Sequence, residues 1–102
     1  WKQESDLSIV SSFGYATFVK NRIKVFKHLK KKKIESRPLI CGNMGQQPFL
    51  EKICFNKKDL VNAKFVNEFG IYLPNHANIN FKDIDFISKE FKSVAVPIDF
   101  KN

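Results

Sequence analysis

Apolar and polar positions change their period several times along the chain, and each change marks an element. Residues 7–19 are rich in Ser, Ile, Val, Phe, Tyr and Thr and show no helical repeat. Within them Phe13, Tyr15 and Thr17 alternate with Gly14, Ala16 and Phe18, the two-residue period of a strand. A glycine inside such a run predicts a bulge or a close backbone approach at Gly14. Asn21 is suited to cap a helix. Beyond it Ile23, Phe26 and Leu29, with Val25, mark one apolar face, while Lys24, Lys27 and the run from Lys30 to Lys33 cover the rest. Cations in the last turns complement the helix dipole, and the helix is predicted to end near Lys33.

Residues 34–40 read as a second short strand interrupted by Pro38. Proline removes a ladder donor, so this strand belongs at a sheet edge or a strand end. Gly and Pro make residues 41–48 a loop, and a short helical piece over 49–53 follows. Asp59 is placed to cap a helix over 60–68, with Ala63 and Val66 inward and Gly70 as the stop. Ile71, Tyr72 and Leu73 form a strand too short to stand outside a sheet, and 74–78 is a turn. Asn80 caps a last helix, with Asp83 in its first turn and Phe81, Ile84, Ile87 and Phe91 along one stripe. The tail from 94 to 102 reads as extended. Three short strands are too few for a doubly wound sheet. The order predicts an α+β fold in two layers, a small mostly antiparallel sheet of about three strands with helices packed on one face. No repeat or linker divides the chain, so residues 1–102 read as a single domain.

Composition narrows the class. The chain has 102 residues, 43% hydrophobic and 14% aromatic with 11 Phe, which suits a packed core and excludes a disordered tail. No apolar run approaches the ~20 residues a spanning helix needs. The polar start, Trp1-Lys2-Gln3-Glu4-Ser5-Asp6, lacks the pattern of a signal peptide. It also lacks an initiating Met, so the chain reads as cut from a longer one. Cys41 and Cys54 are too few for a disulfide framework and form no C-x-x-C pair, which points to a reduced, cytoplasmic compartment. The net charge of +8 is weak evidence for a nucleic-acid partner. Of the 18 cations only Arg22 and Arg37 are Arg, and nine Asn and ten Ile accompany the lysines, the bias of an AT-rich genome.

Candidate chemistry is sparse. His28, Cys41, Cys54 and His76 show no metal-ligand spacing. His28, on a lysine-rich helix, reads as solvated; His76, in a turn after a strand, suits a structural hydrogen bond or a site role. No G-x-S-x-G, Walker loop or dinucleotide glycine fingerprint occurs, and no catalytic residue is assigned. What stands out is residues 35–49. Arg37 is the one Arg outside a helix, beside Pro38 and ahead of a loop rich in amides. An arginine fork clamps carboxylate or phosphate, and Asn43, Gln46 and Gln47 can orient hydroxyls. Together they predict half a pocket for an anionic, polyhydroxylated ligand; a plain Gly/Pro loop with an edge Arg accounts for the residues equally well.

Four stretches stand in order along the chain. They are Ser12-Phe13-Gly14-Tyr15, Lys33-Ile34-Glu35-Ser36-Arg37-Pro38, Gly42-Asn43-Met44 through Gln47-Pro48-Phe49, and Asn62-Ala63-Lys64 through Phe69-Gly70-Ile71-Tyr72-Leu73-Pro74-Asn75-His76 with Phe81-Lys82-Asp83-Ile84 after it. Together they resemble the C-terminal small domain of the DegT/StrS-type nucleotide-sugar aminotransferases and their dehydratase relatives. The first is similar to that family's aromatic-Gly-aromatic strand and the second to its G-I-E-T-R-P strand, with Lys33 for the usual Gly. The third resembles its G-N-M…Q-P loop, and the fourth its closing N-A…G-x-Y-L-P-N-H…D-I segment.

The resemblance implies the small domain of a fold-type I, pyridoxal-phosphate-dependent enzyme, homodimeric at full length. Such enzymes act on a nucleotide-linked keto-deoxysugar for polysaccharide, lipopolysaccharide or antibiotic-sugar biosynthesis. The family's coenzyme chemistry depends on a Schiff-base Lys, or a His replacing it in certain dehydratases, and on an acid facing the pyridine nitrogen. Both belong to the large domain. None of the sixteen Lys here takes that role, no residue here is assigned to the cofactor, and these 102 residues alone are expected not to transaminate. By the same resemblance Arg37, Asn43, Gln46 and Gln47 lie near the cleft between domains and, with His76, bind substrate. The face toward the large domain is expected to be partly apolar, with Trp1, Phe13, Tyr15 and Met44 as candidates, and to promote self-association when bare. The partner implied is a nucleotide sugar, with neither nucleic acid nor membrane. Amino transfer is the first expectation and coenzyme-dependent 3-dehydration the second, since the R-P…G-N…Q-P version looks closer to the dehydratase branch. From another class, a free-standing basic α/β module binding RNA or a protein is the alternative. Against it, the strands lack the aromatic pair and Arg/Lys pattern of an RNA-binding sheet.

Overall fold

The last strand in the sequence is the middle strand of the sheet. In the computed structural model, which describes residues 12–39, 43–50 and 60–99, the elements in chain order are β1 (Tyr15–Phe18), α1 (Arg22–Lys31), β2 (Arg37–Pro38), α2 (Val61–Phe69), β3 (Gly70–Leu73) and α3 (Phe81–Val94). Two 3-10 turns, Met44–Gln46 and Pro48–Leu50, fall between β2 and α2. The strand order is β1-β3-β2, antiparallel throughout. The chain is thus a small α+β fold, as the alternation of patterns predicts.

The register explains which side chains become core. Thr17 pairs with Ile71 and Tyr15 with Leu73, while Ala16 and Arg37 both pair with Tyr72. Side chains alternate across a strand, so Ile71 and Leu73 share one face and Tyr72 with Arg37 the other. Ile71 and Leu73 join Val19, Val25, Leu29 and Ile34 in the buried core, with Phe26, Ile87, Phe91 and Val94 packed around them. α1 and α3 therefore cover that face. Each fully buried side chain, such as Leu29 or Ile71, contributes about 1.5–3 kcal/mol.

Several elements differ from the sequence expectation for identifiable reasons. β1 spans four residues, and residues 7–11 of the longer strand lie outside the described residues. α1 ends at Lys31, and Lys33 turns the chain with a φ of 58°. Ile23 is 62% exposed rather than inward. Val25 and Leu29 set the buried side, and two residues place Ile23 about 200° round the helix from Val25. Asn21 stands at the N-cap, but its side chain makes no cap. Its amide donates to the Val94 carbonyl at 2.7 Å and accepts from the Val96 N–H at 2.8 Å, fastening the start of α1 to the end of α3. His28 is not a freely solvated side chain. It is half-buried, and its Nε2 lies 2.8 Å from the Glu90 carboxylate on α3. Lys32 reaches the same oxygen at 3.4 Å. The His28 hydrogen bond, ahead of the contributions of Lys32, holds the Glu90 carboxyl below its ordinary range although partial burial opposes this.

Of the predicted 34–40 strand, β2 keeps Arg37 and Pro38 among the described residues, residue 40 lies outside them, and Pro38 sits at the sheet edge as its missing N–H requires. Of the helical piece over 49–53, Pro48–Leu50 forms a 3-10 turn and 51–53 lies outside the described residues, as does Asp59. Gly70 does stop α2, in extended backbone (φ −73°) that opens β3 and not in a left-handed cap. A Cβ there would collide with the Leu39 side chain and the Val66 carbonyl. On α3 the expected cap is complete: Asn80 accepts from the Lys82 and Asp83 N–H groups, and Asp83 accepts from the Asn80 N–H. Of the predicted stripe only Ile87 and Phe91 reach the core; Phe81 is 86% exposed. Residues 95–99 continue without regular structure, and Lys20 donates to the Val96 carbonyl at 3.0 Å. Among the described residues no helix is long and apolar enough to cross a membrane.

Candidate functional site

Arg37 and Tyr72 are cross-strand partners, so their side chains rise from one face of the sheet. The Tyr72 ring meets Phe13 edge to face, with centroids 6.1 Å apart and planes at 89°. Gly14 makes this possible: a Cβ there would stand 3.0 Å from Tyr72 Cδ1, the close approach its place in the strand pattern predicts. Beyond β3 the chain runs through Pro74 and Asn75 to His76. Asn75 Nδ2 donates to the Ser12 carbonyl at 2.6 Å and holds this segment against the residues leading into β1. The result is a cavity of about 250 Å³ whose walls include Phe13, Glu35, Ser36, Arg37, Tyr72 and His76.

The polar groups of this cavity are lightly engaged. Arg37 donates through Nε (3.0 Å) and Nη2 (2.6 Å) to one oxygen of Glu35. The two side chains are 66% and 71% exposed, so the pair is worth at most about 1 kcal/mol. An incoming phosphate, with more charge and more acceptor oxygens, competes well for the same fork. His76 is exposed, and its Nδ1 accepts the Asn78 N–H at 3.3 Å. That bond places the proton of the neutral ring on Nε2, which is then a donor. The aromatic pair supplies a flat apolar wall, Arg37 an anion clamp and His76 a second donor. The arrangement grips a ligand with an anionic group and a flat or ring-shaped body. Among the described residues no lysine lines the cavity. Among the described residues no cluster of three or more His, Cys, Asp or Glu could hold a metal ion.

The expected amide loop stands elsewhere. Asn43 is 5% exposed, and its Oδ1 accepts the Gly45 N–H at 3.0 Å, opening the Met44–Gln46 turn. A short amide next to a turn satisfies the local backbone before it can serve a ligand. Gln46 accepts from Asn67 of α2 at 3.3 Å, and Gln47 is half-buried. None of the three lines the cavity of Arg37 and His76. Asn43, Gln46 and Gln47 therefore stand apart from Arg37, and Gln46 is bonded to α2. In their place stand Phe13, Glu35 and Tyr72. A two-residue period over the expected 34–40 strand would have placed Glu35 on the side of Arg37, and the strand register would have found Tyr72. No family model matches the chain, and no curated protein matches it.

Proposed function

We propose that this chain is the substrate-gripping small lobe of a pyridoxal-phosphate-dependent aminotransferase that acts on a nucleotide-linked keto-deoxysugar. The observation that carries this reading is convergence. Phe13 and Gly14, Glu35 to Arg37, and Tyr72 to His76 come from three of the four family-like stretches and line one cavity. Residues 59 positions apart in the first and last of these meet there as the Phe13–Tyr72 ring pair. A structural role alone gives no reason for an arginine fork, an imidazole and an aromatic wall to share a cavity.

In this reading Arg37 leaves Glu35 and takes the diphosphate, while the Phe13 and Tyr72 rings bear on the sugar or base. His76 Nε2 donates to a hydroxyl or phosphate oxygen. The coenzyme, bound by the large domain, supplies the amino-transfer chemistry. The lobe supplies orientation, and its open basic surface raises the local concentration of a diphosphate. The reading places the enzyme in the cytoplasm, as a homodimer, in the making of surface polysaccharide sugars.

The test is kinetic. In the polypeptide that joins this lobe to a coenzyme-binding domain, Arg37→Ala lowers kcat/KM by about tenfold to a thousandfold, the span of about 1.5–4 kcal/mol for a charge-assisted contact. Gln46→Ala leaves it within about twofold, since Gln46 points to α2. Wild-type kinetics in Arg37→Ala removes the reading.

A further inference from the structure

We propose that the exposed lysine stripe of α1 docks this chain on an anionic bilayer surface, a role independent of the cavity described above. The charge of the chain is unevenly spread. Residues 7–34 hold Arg22, seven lysines and no Asp or Glu. The ten cations elsewhere are matched by all ten acids, so the whole formal charge of +8 resides in this one stretch. A genomic bias toward lysine would scatter the excess over the chain. Here it is gathered on α1 and the residues that flank it.

Lys20, Lys24, Lys27 and Lys31 follow at intervals of four, three and four residues, which is a single stripe along α1 and the turn before it. All four are exposed, and they line one open groove of about 870 Å³. Their charge is barely offset. Lys20 meets Asp99 only at 4.0 Å in solvent, and Glu68 is the one acid among the described residues that line the groove. Among the described residues no ion pair reaches Lys24, Lys27 or Lys31. Like charges at these spacings repel along a helix, a strain that an approaching anionic surface relieves.

What stands among the lysines selects the anion. Arg22, the one guanidinium of the groove, is turned to the carbonyls of Asn67 and Gly70. The outward cations are therefore compact ammonium groups, unsuited to bidentate reading of phosphates or base edges. Among the described residues the one Phe, Tyr or Trp that lines the groove, Phe69, is half-buried and offers no platform for stacked bases. The exposed apolar neighbours are aliphatic. Ile23 lies within the groove, and Val96 is held beside Lys20 by the backbone hydrogen bond between them. Ammonium groups around protruding aliphatic chains match lipid headgroups with the acyl boundary beneath, and four lysines meet the usual size of a polybasic membrane-binding cluster.

Co-sedimentation with vesicles tests the proposal. The full chain binds vesicles of phosphatidylglycerol and phosphatidylcholine in equal parts and does not bind phosphatidylcholine alone. Raising salt from about 0.1 M to about 1 M cuts the screening length from about 10 Å to about 3 Å and releases it. The triple variant Lys24→Gln, Lys27→Gln, Lys31→Gln partitions about a hundredfold less. Its helical circular dichroism and melting point match or exceed wild type, because like-charge repulsion has been removed. The equally neutralised Lys64→Gln, Lys82→Gln, Lys89→Gln variant binds as wild type. Three results would each overturn the proposal: no binding to the mixed vesicles, equal loss in both triple variants, or tighter binding to a mixed-sequence oligonucleotide through the same three lysines.

Discussion

Glu35 holds Arg37 through a single carboxylate oxygen, in solvent, on the rim of a cavity. If Arg37 grips a diphosphate, Glu35 competes with the ligand. Glu35→Gln then raises affinity for a nucleoside diphosphate by about two- to fivefold, the worth of an exposed pair, as read by titration calorimetry. Unchanged affinity would separate Arg37 from the ligand. Gly70 makes the opposite point, since its smallness serves the fold. Gly70→Ala forces Leu39 and the α2 end apart and costs about 1–3 kcal/mol, visible as a lowered urea midpoint with unchanged slope. At this scale the sequence was readable wherever a residue acts on its own backbone. Gly14 and Pro38 behave as their stereochemistry demands. It was not readable where a side chain answers a distant partner. Asn21 has the chemistry of a cap, yet residues 94 and 96 take its amide. Asn43 has the chemistry of a ligand contact, yet it opens its own turn.

Helix α3 was the most legible element, because its start is written in three residues, Asn80, Lys82 and Asp83, that bond one another. Asn80→Ala removes two acceptor contacts and destabilises by about 1 kcal/mol, measured by chemical denaturation. Its packing partner was illegible, since nothing local relates His28 to Glu90, 62 residues away. That junction predicts an acid sensitivity with a definite sign. The Glu90 carboxyl is held below its ordinary 4.5, chiefly by His28. The folded state therefore favours the ionised form. The stabilisation is complete above the unfolded-chain value and is lost as pH falls through the lower folded-state value. Between about pH 7 and about pH 3 the wild type loses more stability than Glu90→Gln in urea titrations. Parallel losses would exclude the junction as the source. The strands were legible in type and order but not in length, because β1 ends where its four-residue partner β3 ends, and β2 pairs only with Tyr72 and Ile71 of that partner.

On the scale of the whole molecule, one face of the sheet is covered by α1 and α3, and the other carries Arg37 and Tyr72 into the cavity. Phe13, Tyr15 and Met44, expected at a domain interface, are exposed, and Trp1 lies outside the described residues. The sequence thus showed the α+β architecture, whereas of the residues it singled out the structure brings Arg37 and His76 to one cavity and leaves Asn43, Gln46 and Gln47 outside it. It missed the aromatic wall because that wall exists only once β1, β2 and β3 are in register. The central claim is that Arg37 and His76 grip an anionic sugar nucleotide against this wall. The most direct measurement is a titration of the chain with a uridine diphosphate hexose, followed by amide chemical shifts. The account predicts saturable shifts concentrated at Phe13, Arg37, Tyr72 and His76 and abolished by Arg37→Ala. Shifts confined to the lysines of α1, or none at these four residues, would contradict it.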